Sequence, residues 1–270
     1  MKRFFLSTYC VFFQDYDFLK RCLDGFPDFP VGIEFATYWP TPGFARRLAA
    51  QIPVFSGRPA TLHAPFVEIC TEPGSPEADL MEHEFQKACA LYPRFGASSM
   101  VMHTHEGSFP PAQAASRRAR STAVLRDWTE RMIRQGISIT VENVGYPGKN
   151  NVLFDEAQFV ALFERLPAQA GCLIDIGHAL LNHWDIPALI ARMGARIRGY
   201  HLNNNDGVHD SHLPLYAADG ICPEAEMDRI LRTIARCTPQ ADLILEYAPG
   251  PQVTVEGLHQ DIRRVEQLTR

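Results

Sequence analysis

The chain has 270 residues, 46% hydrophobic and 21% charged, which suits one globular domain with a large core spanning residues 1–270. A formal net charge of −5 argues against a surface that attracts nucleic acid or anionic lipid as a whole. No apolar run is long enough to span a membrane and no signal-peptide cleavage pattern follows the apolar start, so we expect a cytoplasmic protein.

Short β-rich runs alternate with helical patterns along the whole chain. The predicted strands are Arg3 to Phe12, Val31 to Thr37, Pro59 to Phe66, Ser98 to His105, Ile137 to Val144, Gly171 to Ile176, Arg198 to Asn203 and Ala241 to Tyr247. The predicted helices between them include Glu77 to Phe95, Ser116 to Gln135, Asp155 to Leu166, Ile186 to Met193, Glu224 to Cys237 and Val255 to Leu268.

Eight such β-then-α units indicate how the strands are arranged. Each unit requires a right-handed parallel crossover, and eight of them in about 270 residues favour a closed barrel over an open doubly wound sheet. No G-x-G-x-x-G motif follows the first strand, which argues against a dinucleotide-binding fold. The sequence therefore predicts a single (β/α)8 TIM barrel.

Ionisable side chains stand at the carboxyl ends of most predicted strands, where barrel enzymes carry their chemistry. In the strand around Val141, the alternation of side chains puts Glu142 on the face of Thr140, opposite the β-branched residues. The other strand-end residues of this kind are His63, His103, His105, Asp175, His201 and Glu246.

Each of these residues has a structural alternative. A strand histidine such as His63 or His103 is often a hydrogen-bonded core residue, and Glu142 or Glu246 alone could be a buried ion-pair partner. The seven cysteines form no C-x-x-C pair, so a thiolate site is not indicated. Oxygen and imidazole ligands that converge from adjacent strands are what a hard or borderline divalent cation requires, so the set as a whole predicts a metal site.

Two shorter patterns extend this set. In Asp175-Ile176-Gly177-His178, a glycine turn would fold the histidine back over the barrel mouth. In the loop after the seventh strand, the alternation in Asp210-Ser211-His212 would let both outer side chains face one ion.

These residues lie in a recognisable order of fragments. The fragments are His63-Ala64-Pro65, Val101-Met102-His103, Val141-Glu142-Asn143, Asp175-Ile176-Gly177-His178, His201-Leu202-Asn203, Asp210-Ser211-His212-Leu213-Pro214 and Leu245-Glu246. Taken together, they make the chain resemble the xylose isomerase-like TIM-barrel superfamily. That superfamily includes sugar isomerases and epimerases and the AP endonucleases of the endonuclease IV type.

The resemblance implies a ligand set. Its isomerases and epimerases hold one divalent ion, and the matching ligands here are Glu142, Asp175, His201 and Glu246. Endonuclease IV-like members add a second ion and a third, whose matching ligands here are His63, His103 and the shared Glu142 for one, and His178, Asp210 and His212 for the other. The resemblance thus implies one Mn, Mg, Co or Zn ion, with up to three allowed.

Residues near these ligands are predicted substrate contacts. Glu34 ends the second predicted strand where members of the superfamily often contact substrate, although a buried ion pair is an equal alternative. His105 is an additional histidine beside the ligands, and it would contact substrate or support a ligand. The aromatic residues Phe66 and Trp184 would pack against the C–H face of a sugar.

The loops beyond the strand ends bear on the substrate. Lys149 is the one basic residue found on that face, whereas binding DNA requires several cations against phosphates. Nucleic acid is therefore not expected, and a small, unphosphorylated sugar or polyol-type carbonyl compound fits better. Whether the chain forms a homo-oligomer is left open.

The first functional hypothesis is a metal-dependent isomerase or epimerase of sugar metabolism. Glu142 and Glu246 would act as its acid and base through a metal-stabilised enediolate. The alternatives are an endonuclease IV-like zinc-dependent phosphodiesterase and a barrel without catalysis.

Overall fold

The computed structural model describes residues 3–11, 15–26, 29–38 and 42–270. Within these residues, eight parallel strands pair in chain order, and the first also pairs with the last, so the barrel is closed. They are β1 (Phe4–Ser7), β2 (Val31–Ala36), β3 (Ala60–His63), β4 (Ala97–His103), β5 (Ile139–Glu142), β6 (Gly171–Asp175), β7 (Ile197–Leu202) and β8 (Asp242–Leu245). The predicted (β/α)8 TIM barrel is confirmed.

Helices follow the strands and cover the outside of the barrel. They are α1 (Tyr16–Asp24), α2 (Phe44–Val54), α3 (Pro76–Leu91), α4 (Ala114–Arg134), α5 (Glu156–Leu162), α6 (Ile176–Leu181), α7 (Ile186–Met193), α8 (Glu224–Cys237) and α9 (Val255–Thr269). Side-chain caps start several of them: Ser75 accepts from the Ala78 N–H, and Asp155 forms a capping box with Gln158. Of the helices described, none has the length and apolarity that crossing a membrane demands.

Two apolar layers hold the barrel. The larger one lies between the strands and the helices, whereas Phe5, Val101, Leu173 and Ile244 form a separate buried cluster. A Cβ on Gly199 would stand 3.2 Å from the Leu173 side chain, so a glycine in β7 leaves room for this cluster. This close packing inside the barrel supports the layer of polar side chains at the carboxyl ends of the strands.

Several strands are shorter than their predicted ranges. The first was predicted to run to Phe12, but β1 ends at Ser7, a 3-10 turn covers Thr8–Val11, and Phe12 lies outside the described residues. The Thr8 hydroxyl accepts the Ala36 N–H at 2.9 Å, which draws the chain out of the strand direction. The third strand ends at His63 rather than Phe66. These early ends place functional side chains at strand tips, not inside longer strands.

Candidate metal centre

All nine predicted ligands lie at the carboxyl end of the barrel. Among the described residues they form three groups, and within each group one ligand atom per residue lies within 4.8 Å of all the others. The inner cluster is Glu142, Asp175, His201 and Glu246; the His63 cluster is His63, His103 and Glu142; the Asp210 cluster is His178, Asp210 and His212.

Strand register explains why these residues meet. In the parallel pairings, His103 of β4 stands beside Glu142 of β5, and Asp175 of β6 stands beside His201 of β7. Paired residues in neighbouring strands point to the same face of a sheet. Glu246 follows directly after β8 and completes the inner cluster.

The inner cluster gathers oxygen atoms around one imidazole nitrogen. His201 Nδ1 lies 3.2 Å from Glu142 Oε1, 3.1 Å from Glu246 Oε2 and 3.9 Å from Asp175 Oδ2. The other nitrogen, His201 Nε2, faces Glu34 Oε1 at 3.0 Å and donates its proton there. In the neutral imidazole, Nδ1 therefore presents a lone pair to three carboxylates.

Buried polar atoms that lack a hydrogen-bond partner show whether a cation fits the clusters. Within the described part of the chain, Glu142 Oε2, His178 Nδ1, His201 Nδ1 and Asp210 Oδ1 are buried and have no hydrogen-bond partner. Such atoms destabilise a fold unless something satisfies them. Ligand atoms on a tetrahedral ion with bonds near 2.1 Å lie about 3.4 Å apart, close to the separations here. The residues fit a divalent cation.

The His63 cluster shows the same arrangement. His63 Nδ1 faces the Ala64 carbonyl at 2.7 Å, and His103 Nδ1 faces the Glu106 carboxylate, so both Nδ1 atoms carry protons. The two Nε2 atoms lie 3.0 Å apart, and they are 3.6 and 3.5 Å from Glu142 Oε2. When both rings are neutral, two lone pairs and one carboxylate oxygen converge, which a cation would satisfy.

The Asp210 cluster uses a carboxylate between two imidazoles. His178 Nε2 lies 3.0 Å from Asp210 Oδ2, and His212 Nε2 lies 3.2 Å from Asp210 Oδ1. His212 Nδ1 faces the Glu246 carbonyl at 3.0 Å, which again fixes the proton on Nδ1. His178 Nδ1 lies 3.4 Å from Asp175 Oδ1, so this cluster adjoins the inner cluster.

Buried asparagines hold the loop that supplies Asp210 and His212. Asn205 Oδ1 accepts the N–H groups of Ser211 and His212 at 2.6 and 3.0 Å. Asn204 bridges to Leu213 in an isolated antiparallel pair. The backbone of His212 has a φ of 43°, a strained value that the surrounding hydrogen bonds maintain.

The prediction of a glycine turn before His178 was wrong. Residues Ile176–Leu181 form α6, and Asp175 caps it by accepting the His178 N–H at 2.6 Å. The φ of Gly177 is not in the left-handed region, but a Cβ there would stand 1.8 Å from Asn203 Oδ1. Glycine is thus required for close approach, because Asn203 must also donate to Asp175 Oδ2 at 2.8 Å.

The electrostatics at Glu142, His103 and His178 favour an ionised carboxylate and proton-bearing imidazoles. Burial would raise the pKa of the Glu142 carboxyl, but His201 and His103 hold it well below its usual range. Burial would lower the pKa of His103, yet Glu106 and Glu142 raise it to about 10. In the same way, against the effect of burial, Asp210 and Asp175 raise the pKa of His178 to about 9. A cation that binds here must displace these protons.

The structure separates the predicted substrate contacts into two pairs. Phe66 and His105 line a cavity of about 260 Å³ above the clusters, and the Phe66 ring stacks on His63 with a centroid distance of 4.4 Å. Glu34 and Trp184 are not among its lining residues. Glu34 is buried behind His201, and Trp184 packs against Phe159.

The structure also reveals residues that the sequence did not single out. Glu106 supports His103, three residues after it, and lines the cavity. Tyr9 lies edge-on to His212, with ring centroids 5.2 Å apart, and reaches the cavity from the turn after β1. The spacing of Glu106 from His103 was a signal that could have been used; nothing in the sequence around Tyr9 points to the site.

Comparison with solved structures shows the same fold at low identity. "IOLI protein with a binding zinc atom" is 13% identical, with 99% of this chain and 98% of that chain covered and a TM-score of 0.75. "AP endonuclease, family 2 from Brucella melitensis" is 16% identical, with 97% and 99% covered and a TM-score of 0.72. A "D-tagatose 3-epimerase-like protein" is 14% identical, with 99% and 98% covered and a TM-score of 0.68.

A search of curated proteins found no match. The model of one protein family, described as "Xylose isomerase-like TIM barrel", matches residues 43–260. This range includes all nine ligands of the three clusters and six of the eight strands, all except β1 and β2. The chain belongs to the xylose isomerase-like TIM barrel family.

Proposed function

We propose that the protein is a hydrolase of small phosphate esters that depends on more than one bound divalent cation. The observation that carries this proposal is the presence of the His63 and Asp210 clusters beside the inner cluster. A one-ion isomerase needs only the inner cluster, so it leaves five further ligand residues in two ion-sized groups without a role.

One carboxylate shared by two clusters, and a second that links the inner cluster to the Asp210 cluster, would support adjacent ions. Glu142 directs Oε1 towards His201 and Oε2 towards His63 and His103. Asp175 directs Oδ2 towards His201 and Oδ1 towards His178. Bound divalent cations would supply Lewis-acid polarisation of a phosphoryl oxygen and a hydroxide nucleophile at neutral pH.

The other side chains prepare the site for a substrate. Glu34 and Glu106 hold the protons of His201 and His103 away from the clusters, so the ligand nitrogens are correctly oriented before anything binds. Phe66 covers His63 and limits the access of water. A cavity of about 260 Å³ admits a small ester, and its one lysine, Lys149, offers little to a DNA backbone.

A sugar isomerase or epimerase, the first hypothesis from the sequence, is the second candidate. One observation favours it: the inner cluster is complete and fully buried, and the Glu142 and Glu246 carboxylates flank His201. An epimerase-like protein and "L-ribulose 3-epimerase" are also among the structures of similar fold. In this case Glu142 and Glu246 would remove and return the proton on the carbon next to a carbonyl group.

Parallel assays separate the two candidates. The protein loaded with zinc, manganese, magnesium or cobalt would be given bis(4-nitrophenyl) phosphate and an abasic-site oligonucleotide. In D2O, it would be given a panel of free ketoses and aldoses. We expect cleavage of bis(4-nitrophenyl) phosphate and no incorporation of deuterium into the sugars. Deuterium exchange without diester cleavage would reverse the proposal.

A matched pair of histidine variants makes the assay specific. His212 belongs to the Asp210 cluster, whereas His209 lies three residues away with a side chain that is 72% exposed. H212A should lose diester cleavage and H209A should keep it. Equal activity in the two variants would exclude the Asp210 cluster from the reaction.

A further inference from the structure

One basic side chain stands at the mouth of the cavity. Lys149 lines it together with the carboxylates of Glu106, Glu142, Asp210 and Glu246, and no other Lys or Arg of the described residues does so. Glu106 already accepts from His103. Across residues 3–11, 15–26, 29–38 and 42–270, no carboxylate oxygen lies within 4.0 Å of the Lys149 ammonium group. Among these residues the ammonium group therefore makes no close ion pair, and its charge acts on Glu106 only from a greater distance.

The backbone that carries Lys149 is held in place from the preceding loop. The Ser108 hydroxyl donates to the Lys149 carbonyl at 2.7 Å, and His105 Nε2 faces the Asn151 carbonyl at 2.5 Å. Tyr146 N–H donates to Asn151 Oδ1 and closes the loop on itself.

The same loop is also held from its other side. Asn182, at the end of α6, donates to the Gly145 carbonyl at 2.7 Å. Gly148 packs so closely on the loop after β7 that a Cβ would stand 2.8 Å from the Val208 carbonyl. A solvated surface lysine needs no such support, whereas a ligand-binding lysine gains from a pre-positioned backbone.

We infer that Lys149 is a specificity determinant that binds a second negative group, a carboxylate or phosphate, on the part of the substrate that projects from the barrel. This inference rests on the proposed hydrolysis of phosphate esters at the three clusters. The aromatic rings of Tyr38, Phe66 and Tyr146 also line the cavity and would contact the body of such a substrate. The substrate class is a small phosphate ester with one additional anion.

Two diesters of nearly the same shape, one of which carries an additional negative charge, test this role. Bis(4-nitrophenyl) phosphate is compared with 4-nitrophenyl 4-carboxyphenyl phosphate, because nitro and carboxylate groups have nearly the same shape. Both phenolic products are quantified. We expect the ratio of kcat/KM on the carboxylate diester to kcat/KM on the dinitro diester to be about fivefold or more higher in the wild type than in K149M, the scale of one partly exposed ion pair. The K149M variant should keep its activity on the dinitro diester.

Controls make each outcome decisive. R126M removes one positive charge from the outer surface on α4 and should behave as the wild type. A ratio that is unchanged in K149M, or an equal loss on both diesters, would overturn the inference. If the wild type cleaves neither diester, the proposed hydrolysis fails. Calorimetric binding of the two diesters to wild type and K149M then still decides the role of Lys149, since equal preference in both proteins would refute it.

Discussion

The inner cluster differs from the two outer clusters, the His63 and Asp210 clusters, in burial and in the segments that supply its ligands. Every ligand of the inner cluster is buried and lies at a strand end or directly after one, so strand register sets its geometry. Each outer cluster has one partly exposed ligand, His103 or Asp210, and the Asp210 cluster also depends on α6 and on the loop after β7. Strand ends therefore supply the ligands of the inner and His63 clusters, whereas the added segments supply those of the Asp210 cluster.

Glu142 belongs to both regions, so its substitution should have the largest effect. E142Q keeps the shape of the side chain but removes the charge shared by the inner and His63 clusters. We expect loss of ions from both clusters and a fall in kcat/KM of roughly a thousandfold. Metal analysis and steady-state kinetics measure this.

A carboxylate far from the site gives the control for this variant. Glu130 on α4 faces Arg134 at 3.8 Å on the surface, and E130Q should leave metal content and activity unchanged. Full metal content in E142Q would show that Glu142 does not join the two clusters.

Removing His63 should separate the outer from the inner region. H63A takes a ligand from the His63 cluster and leaves all four inner ligands in place. We expect one fewer ion per chain and a fall in diester cleavage of about a hundredfold. If metal is lost but the rate is unchanged, chemistry needs the inner cluster alone, and the isomerase candidate gains support.

Glu34 tests how the inner cluster is supported from behind. The carboxylate accepts from His201 Nε2 at 3.0 Å and from the Thr61 hydroxyl at 3.3 Å. E34Q should weaken binding of the inner ion by about tenfold, because the neutral amide makes the imidazole a poorer ligand. The outer ions and the melting temperature of the metal-free protein should change little.

The control for E34Q is T61V, which removes the other partner of Glu34 and leaves its contact with His201. Competition with a chelator measures the affinity of each variant. A loss in T61V as large as that in E34Q would mean that Glu34 acts through packing.

Lowering the pH should also distinguish the clusters, and this is the smallest of the expected effects. In the metal-free protein, despite burial, nearby carboxylates raise the pKa of His103 to about 10 and of His178 to about 9. Ligand imidazoles must be deprotonated, so ion occupancy rises with pH and falls as pH is lowered. Each outer cluster has two imidazoles and the inner cluster has one. As the pH is lowered, the ions of the outer clusters should therefore dissociate first, at a pH about one unit higher than the inner ion. Simultaneous release at every pH would contradict this difference.

Prediction from the sequence succeeded where the two-residue period of the strands and the pairing of neighbouring strands determine the structure. Alternation in strands such as Ile139–Glu142 was enough to predict the barrel and the strand-end ligands. A buried ion pair was one predicted role of Glu34, but His201 as its partner was not predicted, because the contact joins β2 to β7 across the barrel interior. The six-residue helix that carries His178 was also missed, since Gly177 suggested a turn. The glycine is needed there because its backbone lies against Asn203. Contacts between distant segments leave no local pattern.

The most direct test is to locate the ions in crystals of the wild type grown with zinc, by anomalous scattering at the zinc absorption edge. We predict a peak within bonding distance of the ligands of each of the three clusters, near 2.1 Å from nitrogen and oxygen. A single peak at the inner cluster, with the His63 and Asp210 clusters binding no metal at saturating zinc, would contradict the account.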